Sequence, residues 1–348
     1  MDKVKIGFLG CGYMGQLAHL QNYVELPECE VVALCDAKQQ QAELVAKKYG
    51  IPKLCATLEE MLENPEIEAI VASQAFRNHI TLAPEILKAG KHVFTEKPLC
   101  IFPENGKIIA KVSEDTGKIH MVGYHKRSDP AVEYAMKVIE EWKATKEVGE
   151  MKYVRITMPP GSWTANIAAP IKTDEELPDI KGEEKPSGIT LSNDEIRQYV
   201  KFVNYYIHQV NLLHYLLGEN CRVTYADPSG VLLVVSGESG LCGIIEMAPY
   251  STTDDWQEKA TVCFEQGWIE ISLPAPLACR QAGKVTVYKD NGGGVYTSPR
   301  LPNLHAMKNQ AINFIKAVKG EKSAPCLSAG AVHDLEVAMG YINLFNKK

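Results

Sequence analysis

Val4-Lys5-Ile6-Gly7-Phe8-Leu9 runs without a break into Gly10-Cys11-Gly12-Tyr13-Met14-Gly15, and this stretch decides the fold. A short, mostly apolar run reads as a buried strand, and the spaced glycines after it read as a tight turn that opens a helix. Gly10 permits the turn, Gly12 lets backbone approach a pyrophosphate, and Gly15 lets the helix pack closely on the strand. The N–H groups at the helix start attract the phosphates.

The same grammar continues outward. Strands are expected at 4–9, 30–35, 53–56, 69–73, 92–95 and 120–123, separated by helical patterns at 15–23, 39–49, 58–63, 80–89 and 104–116. Gly50, Gly90 and Gly117 each stand where a helix should stop. The alternation predicts an α/β domain, a doubly wound parallel sheet of the Rossmann type, over residues 1–124. Strand two ends in Asp36, where a carboxylate accepts hydrogen bonds from an adenosine ribose and repels a 2′-phosphate. NAD is therefore favoured over NADP, with Lys38 close by as a weak phosphate contact.

The fifth strand ends Thr95-Glu96-Lys97-Pro98. Ligands gather at the carboxyl ends of strands in an open parallel sheet, so Glu96 and Lys97 face a cofactor there. The Lys97 ammonium suits a developing alkoxide. A solvated loop with a turn proline is the plainer reading of the same tripeptide.

After Asp129 the pattern changes. A helix at 131–142 and a strand at 151–158 precede an aperiodic stretch, 159–192; a helix at 194–217 follows. Strands at 222–226, 231–235, 242–247, 260–265, 268–273 and 284–288 then succeed one another without intervening helices, and helices at 305–318 and 329–344 end the chain. These features predict an α+β domain over 125–348 with a predominantly antiparallel open sheet, its C-terminal helices able to pack back on the first domain. The 159–192 stretch is long enough to be a lid or an oligomer contact. Its Trp163 and Asn166 offer an aromatic face and an amide to a sugar ring.

Composition removes other classes. Against 43 acidic residues the 348-residue chain has 37 basic ones, a net charge of −6 that gives no footprint for nucleic acid or an anionic membrane. No apolar run approaches the roughly 20 residues of a membrane span. The N-terminus carries no targeting pattern, so a cytoplasmic protein is expected. Ten scattered cysteines include no Cys-x-x-Cys pair, so no metal ligand set is expected and most thiols read as small buried hydrophobes.

Taken in order, Gly10 to Gly15, Asp36, Asn78-His79, Ala89-Gly90-Lys91-His92-Val93, Glu96-Lys97-Pro98 and His208 resemble the Gfo/Idh/MocA oxidoreductases, a family of inositol and sugar dehydrogenases. The resemblance covers most of the chain. It implies a Rossmann domain, a second domain with an open antiparallel sheet, and catalysis by Lys97 together with His208 on a helix of that domain. In this family the Lys-Pro bond is often cis, which Pro98 would share. The cofactor-binding set is then Gly10, Cys11, Gly12, Tyr13, Met14, Gly15, Asp36, Ser73, Gln74, His79, Glu96 and Lys97.

Relatives place Asp four residues before the histidine and three after it. This chain has Asn204 and Asn211, leaving His208 without an anionic neighbour to raise its pKa. His125 stands where relatives carry Asn, and is a second candidate for proton transfer. Lys97, His125, Arg127, Trp163, Asn204 and His208 form the candidate substrate set, Arg127 having an ion pair as its other use. His214 and Cys100 read as packing.

The leading expectation is an NAD-dependent enzyme moving a hydride between nicotinamide and a secondary hydroxyl of a sugar, glycoside or cyclitol, working as a homo-oligomer. Two other classes remain open: a redox-neutral enzyme that cleaves glycosides through transient oxidation, and a catalytically silent NAD-binding regulator.

Overall fold

Strand β1 (Val4–Leu9) has both faces buried, as its nearly unbroken apolar run requires, and lies at the centre of a six-stranded parallel sheet. In the computed structural model, residues 3–158, 161–165, 168–177, 182–247, 255–290 and 292–347 are described. They divide into two units. The first comprises Met1–Tyr124, Ile167–Thr190 and Gln310–Val332; the second comprises His125–Asn166, Leu191–Asn309 and His333–Lys348.

In the first unit the strands are β1, β2 (Cys29–Cys35), β3 (Lys53–Cys55), β4 (Ala69–Ala72), β5 (His92–Glu96) and β6 (His120–Gly123), ordered β3-β2-β1-β4-β5-β6. The order reverses between β1 and β4, the switch point at which such sheets bind ligands. A π-helical stretch, Gly15–Leu20, runs straight into α1 (Gln21–Tyr23), where a plain α-helix was expected. Helices α2 (Gln39–Tyr49), α3 (Leu58–Leu62), α4 (His79–Lys88) and α5 (Pro103–Thr116) complete the alternation. Gly50 and Gly117 cap α2 and α5 with φ of 67° and 63°, backbone that disfavours any side chain. The core joins Ile6, Phe8, Leu34, Val71 and Phe94 to Phe314 and Ile315, each contributing roughly 1.5–3 kcal/mol by leaving water.

The segment 168–190 has no regular structure among its described residues, yet it is bonded firmly to this unit through two carboxylates. Glu175 accepts from the N–H groups of Gln40 and Gln41 at 3.0 Å each, at the start of α2. Glu183 accepts from Ile101 N–H (2.6 Å), Phe102 N–H (2.9 Å) and the Asn105 amide (2.8 Å), at the start of α5. Each supplies an acceptor to donors that a helix start leaves unpaired, and a negative charge to the positive end of the helix dipole.

The second unit holds α6 (Pro130–Thr145), β7 (Met151–Met158), the 25-residue α7 (Asn193–Leu217) and strands β8 to β14. Those strands are Cys221–Ala226, Leu232–Gly237, Cys242–Met247, Glu258–Phe264, Gly267–Leu273, Lys284–Asp290 and Gly294–Thr297. Ser192 and Glu195 form a capping box that starts α7, and Gly218 in the left-handed region ends it. The eight strands form one sheet, ordered β14-β13-β12-β11-β7-β10-β9-β8. Neighbours are antiparallel except β7 with β10, a parallel pair made possible by the long passage through α7 between them. β14 was not expected, because Gly294-Val295-Tyr296-Thr297 is too short and too exposed to show a pattern. Two helices end the chain, α8 (Ala306–Val318) and α9 (Ser328–Phe345).

Glu183→Ala should lower the unfolding free energy by about 1–2 kcal/mol, the usual effect of losing a helix cap. Thermal denaturation beside Glu176→Ala, which removes an exposed acid from the same segment, checks this; equal midpoints for the two variants would contradict it.

Candidate functional site

In the first unit the glycine turn is fixed by strand ends on both sides. Gly10 donates from its N–H to the Cys35 carbonyl at the end of β2 (2.8 Å), and Ser73 donates to the Leu9 carbonyl (2.8 Å). Cys11 N–H donates to Asp36 Oδ2 at 2.6 Å, while Lys38 N–H takes Oδ1 at 2.9 Å. Gly10 has φ of 93°, and a Cβ there would meet the Ser73 carbonyl oxygen at 2.5 Å and collide with the Gln74 amide. At Gly15 a Cβ would strike the Gly10 carbonyl. Gly12, by contrast, faces open space with no atom within 4 Å of where a Cβ would stand. A turn closed behind and open in front fits a dinucleotide whose phosphates approach the backbone at Gly12 and whose ribose reaches Asp36. Tyr13 and Met14 flank that opening, partly buried.

Gln16 and Gln41 went unread in the sequence. Both donate from their amides to the Cys11 carbonyl, at 2.7 and 3.0 Å, and brace the turn from below. Their signal is weak because glutamine is an ordinary helix residue; only its near-complete burial marks it.

Two strands along, at the end of β5, Glu96 lies almost fully buried with its Oε1 2.5 Å from His19 Nε2. Burial raises the carboxyl's pKa, but the His19 contact and the Lys97 charge outweigh it and hold Glu96 below its usual range. Lys97 is partly buried, its N–H donates to Glu96 Oε2 at 3.1 Å, and the Lys97–Pro98 bond is cis. His79 is fully buried. Its Nδ1 lies 3.0 Å from the Leu99 carbonyl, and burial lowers its pKa. Cys100 is buried too, its thiol raised by desolvation and bonded to the Phe102 carbonyl, a packing role.

The second unit brings other predicted residues together. His125 and His208 meet edge to face with ring centroids 4.7 Å apart, His125 buried and His208 partly so. Along α7, Asn204 is exposed, His208 half-buried and Asn211 buried, so this helical face descends from solvent into the interior. Asn211 accepts from Arg127 Nε (2.7 Å) and donates to Asp334 Oδ2 (2.6 Å). Asp334 Oδ1 lies 3.0 Å from His214 Nδ1, and the Arg127 guanidinium stacks on Tyr215 at 4.5 Å. Lys126 pairs with Glu258 at 2.5 Å, and Glu258 also accepts from the Gln209 amide and the Trp256 indole. Trp163 is 38% exposed, its carbonyl accepting from Leu277 N–H. Asn166 lies outside the described residues.

His19→Ala should remove about 3 kcal/mol, because it strands a buried carboxylate, and urea unfolding measures it. Asp129 provides a pH test. Burial pushes its carboxyl from 3.8 up to about 6, against the pull of the Ala131 and Gly283 N–H groups and Lys126. The folded state then keeps a proton that the unfolded chain gives up, so this contribution to stability falls as pH rises through that window. In Asp129→Asn the slope should flatten; an unchanged slope would place the titration elsewhere.

Comparison with known proteins agrees with this geometry. Residues 4–124 match the Gfo/Idh/MocA oxidoreductase family, NAD-binding Rossmann fold. The chain is 25% identical over 362 residues to scyllo-inositol 2-dehydrogenase (NAD(+)) of Bacillus subtilis, covering 99% of this chain and 94% of that one. It is 24% identical over 334 residues to inositol 2-dehydrogenase of Rhizobium meliloti, covering 92% and 91%. Among solved structures, a 3-ketoreductase from Actinomadura kijaniata in complex with NADP and TDP-benzene shares the fold with a TM-score of 0.68 at 14% identity, over 97% and 96% of the two chains. With a glycine turn, strand-end Asp36 and Glu96-Lys97 set on one sheet edge, residues 4–124 match the Gfo/Idh/MocA oxidoreductase family, and the chain over nearly its whole length is similar to two inositol dehydrogenases.

Proposed function

We propose that this enzyme is an NAD-dependent dehydrogenase that oxidises a secondary hydroxyl of a cyclitol or sugar, reversibly. One observation carries the reading. The Gly10 turn, Asp36, Ser73-Gln74 and Glu96-Lys97 stand at the carboxyl ends of four adjacent strands, β1, β2, β4 and β5. A dinucleotide laid along that edge has its adenosine ribose at Asp36 and its nicotinamide toward Lys97. When bound, the nicotinamide supplies the acceptor for the hydride leaving the carbinol carbon.

Lys97 holds the substrate oxygen and stabilises negative charge as it develops there. Glu96 fixes the Lys97 backbone and keeps a counter-charge beside the ammonium. His208 removes the hydroxyl proton, with His125 packed against its ring to orient it. Asn204, on the exposed turn before His208, and Trp163 are the proposed contacts to the remaining hydroxyls. Arg127, tied to Asn211 and stacked on Tyr215, supports this helix face from beneath. Support for the substrate class comes from the two inositol dehydrogenases above, each covered over nine-tenths of its length.

Lys97→Ala and His208→Ala should each reduce kcat by roughly 10²–10⁴-fold, the range for a positioned acid or base. An NAD-linked screen over cyclitols, sugars and glycosides finds the substrate, and the variants are then compared on it. Near-normal turnover in both would refute these roles. Release of an aglycone without net NADH would favour the redox-neutral glycoside-cleaving reading instead.

A further inference from the structure

The first turn of α2 begins at Gln39, three residues after Asp36, which directly follows β2. Its N–H groups and the positive end of its helix dipole form the natural seat for an anion beside the adenosine ribose. In this chain that seat is taken. Glu175, 139 residues further along the sequence than Asp36, accepts from the N–H groups of both Gln40 and Gln41 at 3.0 Å and from the Thr173 hydroxyl at 2.7 Å. Burial opposes the charge, yet these donors and Lys38 outweigh it and keep the Glu175 carboxyl below its ordinary range. Lys38, the nearest cation to Asp36 in sequence, is engaged as well, donating from Nζ to the Thr173 carbonyl at 3.3 Å. Gln16, beneath the glycine turn, anchors the same segment by donating to the Ile171 carbonyl and accepting from its N–H, both at 2.9 Å.

We propose that Glu175 is a cofactor-specificity residue: its carboxylate fills the position a 2′-phosphate would occupy at the start of α2, and so excludes NADP. The inference rests on the dinucleotide reading of this edge. With Asp36 holding Lys38 N–H and Glu175 holding those of Gln40 and Gln41, three amide donors of the turn are already committed to carboxylates. A 2′-phosphate would have to displace an anion from its donors and then sit beside a second one, an arrangement that discriminates by repulsion rather than by added attraction.

The test is binding, read without turnover. NADH and NADPH are titrated into the purified full chain and into Glu175→Gln, following nicotinamide fluorescence, and 2′,5′-ADP is titrated calorimetrically. Glu175→Gln keeps the shape and one acceptor oxygen but removes the charge. It should tighten NADPH and 2′,5′-ADP by roughly tenfold or more while moving NADH less than threefold, and the wild-type preference should narrow as salt screens the repulsion. A second variant, Thr173→Ala, removes one donor to Glu175 without touching its charge or the glycine turn and should shift the NADH:NADPH ratio in the same direction by a smaller factor. NADH binding with a ratio unchanged in both variants overturns the role of Glu175 and leaves the dinucleotide site standing. Failure of the folded wild-type chain to bind either dinucleotide overturns both.

Discussion

The bond from Cys11 N–H to the Asp36 carboxylate is the constraint on which the nucleotide edge depends. It ties the turn after β1 to the end of β2, beside the bond from Gly10 N–H to the Cys35 carbonyl. A turn with φ of 93° at Gly10 has little intrinsic stability, and its carbonyls and amides would otherwise compete for water. Closing it on a buried carboxylate below, with Gln16 and Gln41 on the Cys11 carbonyl, sets a rigid floor and leaves only the Gly12 side open.

The segment 168–190 shows how irregular chain can be held without a core of its own. Its two buried or half-buried carboxylates, Glu175 and Glu183, each find the start of a helix, where unpaired N–H groups and the dipole offset the desolvation of a charge. The outcome differs between them. Glu183 is buried deeply enough that its carboxyl is raised despite three donors, whereas Glu175, nearer solvent and beside Lys38, is lowered. Both close a helix start, but only Glu175 does so at the helix that follows Asp36.

In the second unit, Asn211, one of the two asparagines that depart from the family pattern, has a physical account. Asp334 already supplies the buried carboxylate, shared with His214. A second carboxylate at position 211 would stand 2.6 Å from it and repel. An amide instead accepts from Arg127 on one side and donates to Asp334 on the other, relaying a buried charge pair through a neutral group. The same economy appears at Glu258, which serves Lys126, Gln209 and Trp256 at once.

The sequence by itself determined the order of strands and helices, because period-two and period-3.6 patterns and the helix-ending glycines are local properties of neighbouring residues. Strand and helix limits in the first unit fall within a residue or two of those read from the chain, and the Gly10–Gly15 turn, Asp36 and Glu96-Lys97 were visible as strand-end residues. The π-helical start at Gly15, the parallel β7–β10 pair and β14 were not, since each depends on what lies opposite rather than on what lies adjacent. Only the tertiary structure decided where 168–190 goes and which carboxylates meet which helix starts, for Glu175 and Gln40 are 135 residues apart and no spacing encodes their bond. The same holds for Asn211 with Asp334: a hydrogen bond between distant residues leaves no periodicity in sequence, and its partner is chosen by the burial that folding imposes.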